Sequence, residues 1–520
     1  MLGLTGMVIL GVGVTALVSP REVFTTYRQP VVVALALALL GVAVLWRPGD
    51  GVRRCCRWRW TAPTVAVLAG TIALVTGHAL RLPYSWDVRI VLGIARRLND
   101  GVELTAYQQG YLSRYPNNVA VVAVDRLAHA ASEASGWPPD GILVSVAAVG
   151  AAVTVWCVHR MVLPVGGPVR AVAAQLVTTL LVAASPWLGI PYTDVLAIPF
   201  LSGGLLLAMA AMRRPQDRWA LLLAVAAGAV VALAAVLKTI PYVVGGAVLL
   251  TGVIAAVGAR ADRAAATRWL AGTLAAVTAV GAVALGATAA AGTAIAEVPP
   301  RPRTNAPLLW WVANGMTQTQ SPGNPPRYGG FNGTMVRAIG GMTEEQATEW
   351  AAQWIRALWA GRGLEGTVRF YADKAAWNWG DGMFWAHGEG QDARPERLPP
   401  GDGLVGLVRD IDRPDGRWYP LRSDVAQAVW VTVLVMAGLG ALLTRRPRPD
   451  VLLLALTVLG LVVFTLAFQG RSRYLFTFVP VVVSLTAMVH PAVSLARARL
   501  LRAVGARSRR VPRVSAPPTA

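Results

Sequence analysis

Four short stretches of this chain carry residue types suited to charge chemistry. They are Ser85-Trp86-Asp87-Val88-Arg89, Pro191-Tyr192-Thr193-Asp194, Lys238 in an otherwise apolar run, and Gln469-Gly470-Arg471-Ser472-Arg473-Tyr474. A carboxylate such as Asp87 or Asp194 can take the proton of an incoming hydroxyl. Cations stabilise charge as it develops on a departing phosphate. The guanidinium fork of Arg471 and Arg473 matches phosphate oxygens, and Lys238 offers a point charge. Together these groups suit displacement of a lipid-phosphate leaving group. Each also has a plainer reading. Asp87 and Asp194 suit helix caps, and Lys238 and the arginines suit lipid headgroups. A fifth stretch, Tyr111-Leu112-Ser113-Arg114-Tyr115-Pro116-Asn117-Asn118, is a rigid turn rich in amide hydrogen-bonding groups. Tyr115, Asn117 and Asn118 are its candidates for binding hydroxyls.

These residues must be held by elements that cross a bilayer. Apolar residues make up 55% of the 520 and charged ones 14%, against about 25% charged in soluble domains. That excludes a soluble multidomain protein, a disordered chain and a collagen-like one. A spanning helix needs about 20 apolar residues. About twelve candidates follow, at roughly 2–19, 31–46, 62–80, 141–161, 170–187, 192–212, 219–237, 240–258, 269–293, 426–443, 451–469 and 475–495. The fold class expected is an all-α polytopic membrane protein. Residues 118–135 read as an interfacial helix, because Asp125, Arg126 and His129 interrupt their apolar run.

The net charge of +21 is almost all arginine, since Lys238 and Lys374 are the only lysines. Every second loop is basic. Twenty-three arginines, from Arg47 to Arg513, lie in those loops and the C-terminal tail, beside only Asp50, Asp217, Asp262 and Asp450. The positive-inside rule puts them in the cytoplasm with both termini. The charge therefore orients the chain and faces anionic headgroups, which argues against a nucleic-acid partner. Cys55, Cys56 and Cys157 cannot form a disulfide framework, and no His or Cys cluster has ligand spacing.

The same parity leaves two large outer segments, 81–139 and 294–425. The second holds 15 acids, 14 bases and nine of the 19 tryptophans, and reads as a folded, mainly helical extracytoplasmic domain. Thr343-Glu344-Glu345-Gln346 is a capping box. Ala347, Trp350, Trp354 and Leu358 mark an apolar face, and Gly361 and Gly363 end the helix. The organisation expected is 1–61, two N-terminal spans and a basic loop; 62–293, a transmembrane core; 294–425, the outer domain; 426–495, three last spans; and 496–520, a basic tail.

With these residues in hand, the chain resembles the GT-C superfamily of polyprenyl-phosphate-sugar-dependent glycosyltransferases. The shared features are an Asp in the first large outer loop, many spans, and an Arg-Tyr element before the last span. More narrowly, it resembles the membrane glycosyltransferases of Gram-positive, actinobacterial type that decorate cell-wall polysaccharides. Tyr115-Pro116-Asn117-Asn118, Tyr192-Thr193-Asp194 and Lys374-Ala375-Ala376-Trp377-Asn378-Trp379-Gly380-Asp381-Gly382-Met383-Phe384-Trp385 carry that likeness, with His387, Gly388 and Glu389 following. It covers roughly residues 62–495.

The resemblance implies Asp87 as general base, with Asp194 helping to orient the acceptor. Arg471, Arg473, Lys238 and Tyr474 would contact the donor phosphate. Trp377, Trp379, Asp381, Trp385 and His387 would join Tyr115, Asn117 and Asn118 in binding sugar or acceptor. The implied partners are a polyprenyl-phosphate-linked sugar, a cell-envelope glycan, lipoglycan or protein, and the bilayer. A divalent metal is allowed but not indicated, because one acid follows Trp86 where many relatives carry a pair. Two further departures are the extra spans at about 2–46 and Gln469 where the superfamily often has Glu. A polysaccharide polymerase or ligase with a diphosphate-linked donor, and a lipid or glycan transporter, stay open as alternatives.

Overall fold

The computed structural model describes residues 1–18, 25–81, 84–293, 306–320, 325–387 and 401–508, with side chains to 498. Gly388 and Glu389, and the tail arginines Arg509, Arg510 and Arg513, lie outside the described residues. Helices dominate, numbered here in chain order. The first seven are α1 (Leu2–Val18), α2 (Gln29–Leu45), α3 (Asp50–Arg57), α4 (Thr61–Ala79), α5 (Trp86–Asn99), α6 (Ala106–Arg114) and α7 (Val119–Ser135). Then come α8 (Pro139–Gly166), α9 (Pro168–Thr178), α10 (Thr193–Leu196), α11 (Ile198–Arg213), α12 (Ala220–Leu237), α13 (Tyr242–Gly258) and α14 (Arg263–Thr293). The segment between α14 and α19 holds α15 (Leu308–Gly315), α16 (Gly333–Ala338), α17 (Glu344–Trp379) and α18 (Gly403–Asp412). One two-stranded antiparallel pair, β1 (Gln318–Thr319) and β2 (Arg327–Tyr328), lies there too. The chain closes with α19 (Tyr419–Leu443), α20 (Pro449–Ala467), α21 (Arg473–Phe476) and α22 (Val479–Ser508).

This is an all-α polytopic membrane protein. Among the described residues, eight helices are long and apolar enough to cross a bilayer. Three more apolar helices, Leu2–Val18, Pro168–Ala183 and Tyr242–Gly258, are shorter, and Gln29–Leu45 forms a bent pair with Asp50–Arg57 at 89°. All twelve expected spans thus fall on helices, but four do not meet the length alone. Close packing rests on small residues, as expected where lipid supplies no hydrophobic drive between helices. A Cβ at Gly228 of α12 would come within 2.1 Å of the Ala276 carbonyl of α14. The first helix is no appendage: α1 lies along α19, and Gly6 nearly touches Gly438 and Leu442.

The two ends of the bundle differ in chemistry. At one end, Arg213 pairs with Asp450 at 2.8 Å, Arg170 donates to His490 at 3.0 Å, and Arg497 donates to the Val44 carbonyl. The other end gathers the polar loops at 85–118, 185–194, 238–240 and 468–474. The described parts of the segment between α14 and α19 sit on this second end. Trp187 Nε1 donates to the Phe384 carbonyl at 2.8 Å and Trp430 Nε1 to that of Trp379 at 2.9 Å. The capping box forms as expected: Thr343 Oγ1 accepts from the Gln346 amide and the Gln346 side chain accepts from the Thr343 amide. At Gly363 the backbone takes the non-helical φ 63° and ψ −172°, so the helix opened by the capping box ends there as the glycines predict, and a second helix follows directly to Trp379.

Candidate active site

Asp87 sits in the first turn of α5, where the helix dipole favours a carboxylate. Trp86, just before it, takes φ 54°, a strained conformation for a bulky side chain, and is exposed. Helix α6 opens with its own capping box, Thr105 and Gln108, and so presents Tyr111 towards α5. The Tyr111 hydroxyl donates to Asp87 Oδ1 at 3.0 Å. Asn118 Nδ2 donates to the Tyr111 oxygen at 2.6 Å, and the Tyr192 hydroxyl donates to Asn118 Oδ1 at 2.9 Å. A chain of hydrogen bonds thus runs from Asp87 through Tyr111 and Asn118 to Tyr192. Burial pushes the Tyr111 and Tyr192 hydroxyls well up, so both remain proton donors.

A second cluster faces it. Arg473 Nε donates to Asp194 Oδ2 at 2.8 Å, and Lys238 pairs with Asp194 Oδ1. The Arg473 guanidinium also lies 5.1 Å from the Tyr192 ring and 5.6 Å from the Trp187 ring, and the Lys238 ammonium 5.2 Å from the Tyr474 ring. Arg471 lies 5.7 Å above the ring of Trp385. Burial chiefly pushes its guanidinium down to about 10, with Asp87 and Tyr474 acting the other way; it stays charged at neutral pH.

Both clusters open on one cavity of about 1080 Å³. Asp87, Tyr111, Asn118, Arg471, Arg473 and Lys238 line its polar part, with Tyr115, Asn117, Tyr474 and Trp311. Leu237, Ile240, Val243, Phe464 and Phe468 form an apolar flank at the ends of α12, α13 and α20. Such a cavity can hold an apolar chain on one side and present an anionic head to cations on the other. Among the described residues, no three His, Cys, Asp or Glu side chains group closely enough to hold a metal ion.

The structure reassigns several expected site residues. Asp194 is fully buried and bound to two cations. Its carboxylate holds Arg473 and Lys238 in place and has no access to an acceptor proton. Lys238 is correspondingly tied to Asp194. Trp377 and Trp379 are core: the first packs against Trp385 at 5.2 Å, the second against Trp430 at 6.4 Å. Trp385 lies under Arg471, not open to a sugar. His387 packs on Tyr419 at 5.4 Å, away from the cavity lining. Asp381 is fully buried and accepts four hydrogen bonds. A carboxylate so saturated has no lone pair left for a ligand. Tyr111 and Tyr192 lie inside sequence motifs that assign them no role, and Trp311 lies in none of them. A tyrosine four residues before Tyr-Pro-Asn-Asn was the available signal for Tyr111.

Residues 22–494 match a family described as conserved hypothetical integral membrane protein. The chain belongs to this family. Membership agrees with the multi-pass architecture built above. No curated protein matches the chain. Among solved structures, it is similar to the archaeal oligosaccharyltransferase AglB from Archaeoglobus fulgidus, in complex with an inhibitory peptide and a dolichol-phosphate. The identity is 13% and the TM-score 0.40, over 89% of this chain and 52% of that one. The chain thus spans about half the length of that structure.

Proposed function

We propose that this protein is a membrane glycosyltransferase of the GT-C type. It moves one sugar from a polyprenyl-phosphate donor to a cell-envelope glycan, lipoglycan or protein. The observation that carries this reading is the shared cavity: the Asp87 carboxylate and the Arg471 guanidinium line one space whose flank is apolar. The acceptor hydroxyl oxygen attacks the anomeric carbon. The bond from that carbon to the phosphate oxygen breaks, and the phosphate leaves with the electron pair. The hydroxyl proton passes to Asp87. A single displacement of this kind inverts the anomeric centre. Charge growing on the phosphate falls to Arg471. Arg473 and Lys238, held in place by Asp194, line the cavity beside it and offer donors to the phosphate oxygens. Tyr474 lies against the donor head, and Tyr115, Asn117 and Asn118 face the acceptor.

The arginine-rich end of the bundle is the cytoplasmic one by the positive-inside rule. Both termini then lie inside and the cavity opens on the extracytoplasmic face. Ala306, Leu308, Trp311, Phe331 and Val336, from the segment between α14 and α19, cover the cavity from that side, and the chain divides as the sequence suggests, at about 61, 293, 425 and 495. Actinobacterial cell-wall polysaccharide is the acceptor class that the residue resemblance favours.

The test is sugar transfer by purified protein in nanodiscs. Synthetic mannosyl, glucosyl, N-acetylglucosaminyl, galactosyl and arabinosyl polyprenyl phosphates are supplied with crude envelope acceptor, to wild type and Asp87→Asn. Release of polyprenyl phosphate by wild type alone supports donor class and base together. Equal release by Asp87→Asn removes Asp87 from the mechanism. Inertness toward every monophosphate donor, with turnover of a diphosphate-linked one, replaces the reading by a polymerase or ligase.

A further inference from the structure

The stretch from Lys374 to Trp385 does not face the cavity, yet it grips the loop that does. Lys374 Nζ donates to the carbonyls of Leu466 and Phe468, both at 2.7 Å, and of Gly315 at 2.6 Å. Asn378 Nδ2 donates to the Thr465 carbonyl and Trp379 Nε1 to the Thr465 hydroxyl. The end of α20 is thereby fixed up to the residue before Gln469. Asp381 holds the other side of the loop. Its Oδ2 accepts from Ser472 Oγ at 2.6 Å and from the Trp385 amide at 2.6 Å. Its Oδ1 accepts from the Met383 amide at 2.9 Å and from the Tyr27 hydroxyl at 2.5 Å.

Ser472 stands between Arg471 and Arg473, and Trp385 carries Arg471 on its ring. One carboxylate thus ties down both the backbone beside Arg471 and the platform beneath it. The turn it closes is strained: Phe384 takes φ 55° and Trp385 φ 60°. Two consecutive aromatic residues in the left-handed region persist only where the surroundings over-determine them. Gly382 allows the turn to lie against α19, since a Cβ there would meet the Ala426 carbonyl at 2.8 Å.

We propose that Asp381 is a positioning residue, which aims the Arg471 guanidinium into the cavity through Ser472 and Trp385. The inference rests on Arg471 meeting the donor phosphate. It also gives the loop before α2 a part in the site, because Tyr27 completes the set of donors to Asp381.

The test is a double-mutant cycle on binding of undecaprenyl phosphate alone to the full chain in nanodiscs. The variants are Asp381→Asn, Arg471→Ala and both together, with Ser472→Ala as the milder second variant and apparent Tm as the check on folding. Asp381→Asn keeps shape but puts an amide NH2, a donor, where Oδ1 or Oδ2 accepted two hydrogen bonds. It should weaken binding about tenfold, the worth of one charge-assisted hydrogen bond. Ser472→Ala should weaken it less. In the Arg471→Ala background, Asp381→Asn and Ser472→Ala should add almost nothing, because the group they aim is gone. Equal losses in both backgrounds would mean that Asp381 acts on binding by another route and overturn the proposal. Folded wild type that binds no undecaprenyl phosphate, or binding indifferent to Arg471→Ala, overturns the phosphate reading of Arg471 and the inference with it.

Discussion

Tyr111→Phe is the sharpest perturbation of the proposed base. It removes one oxygen from a buried side chain, so the ring packing against Tyr115 at 5.1 Å survives. Two hydrogen bonds go: the donation to Asp87 Oδ1 at 3.0 Å and the acceptance from Asn118 Nδ2 at 2.6 Å. A hydrogen bond to a charged group contributes about 1.5–3 kcal/mol. Asp87 is only partly buried, so water replaces some of the loss and the lower end applies. At about 1.4 kcal/mol per decade of rate, kcat should fall about tenfold. The KM for donor should change little, because the phosphate contacts lie across the cavity. Tyr192→Phe acts one step further along the chain, through Asn118, and should cost less. The assay is the initial rate of polyprenyl-phosphate release at saturating donor, with apparent Tm measured alongside. A folded Tyr111→Phe enzyme with wild-type kcat would show that the tyrosine does not hold the base. A larger loss for Tyr192→Phe than for Tyr111→Phe would break the proposed order of the chain.

Three further expectations concern stability. Lys374→Met leaves the buried Gly315 carbonyl and the half-buried Leu466 and Phe468 carbonyls without their donor and should destabilise by about 3 kcal/mol; the exposed Arg337→Ala should stay within about 0.5 kcal/mol, both read as shifts in apparent Tm. Gly228→Ala drives a methyl into the Ala276 carbonyl and should cost about 1–3 kcal/mol. Gly246→Ala, with open space around it, should be tolerated in the same melting series. Burial pushes Asp412 up to about 6 against the opposing pull of Arg422. Folded protein then holds a proton that the unfolded chain releases near pH 4. This stabilising contribution is complete below pH 4 and disappears as the pH rises through 6. Asp412→Asn should flatten that part of the apparent Tm profile, and an unchanged slope would contradict it.

What the sequence made legible was whatever is local or periodic. Apolar runs marked the helices, and Thr343 with Gln346 marked a helix start. The polar stretches at 85–89, 111–118, 191–194 and 469–474 stood out because a bilayer penalises such groups, and the structure brings all four to one end of the bundle. Partnership was not legible. Asp194 meets Lys238 44 residues on and Arg473 279 residues on, and nothing local encodes either distance. Composition also misled at 377–385. Tryptophans beside Asp and His in an outer segment look like a sugar-binding face. The same residues are equally suited to a buried mount: Trp379 Nε1 donates to the Thr465 hydroxyl, Trp187 and Trp430 cap the carbonyls of Phe384 and Trp379, and the Trp385 ring carries Arg471. Burial decides between the two uses, and burial depends on the whole fold. Moving these aromatics from ligand contact to support also changes what the extra N-terminal helices do. Tyr27 and Arg28, between α1 and α2, reach Asp381 and Asp424 at 2.5 and 2.6 Å. If Asp381 positions Arg471 as proposed, the Tyr27 hydroxyl ties this N-terminal pair to the mount on which the arginine loop rests, and Arg28 anchors it to α19 through Asp424.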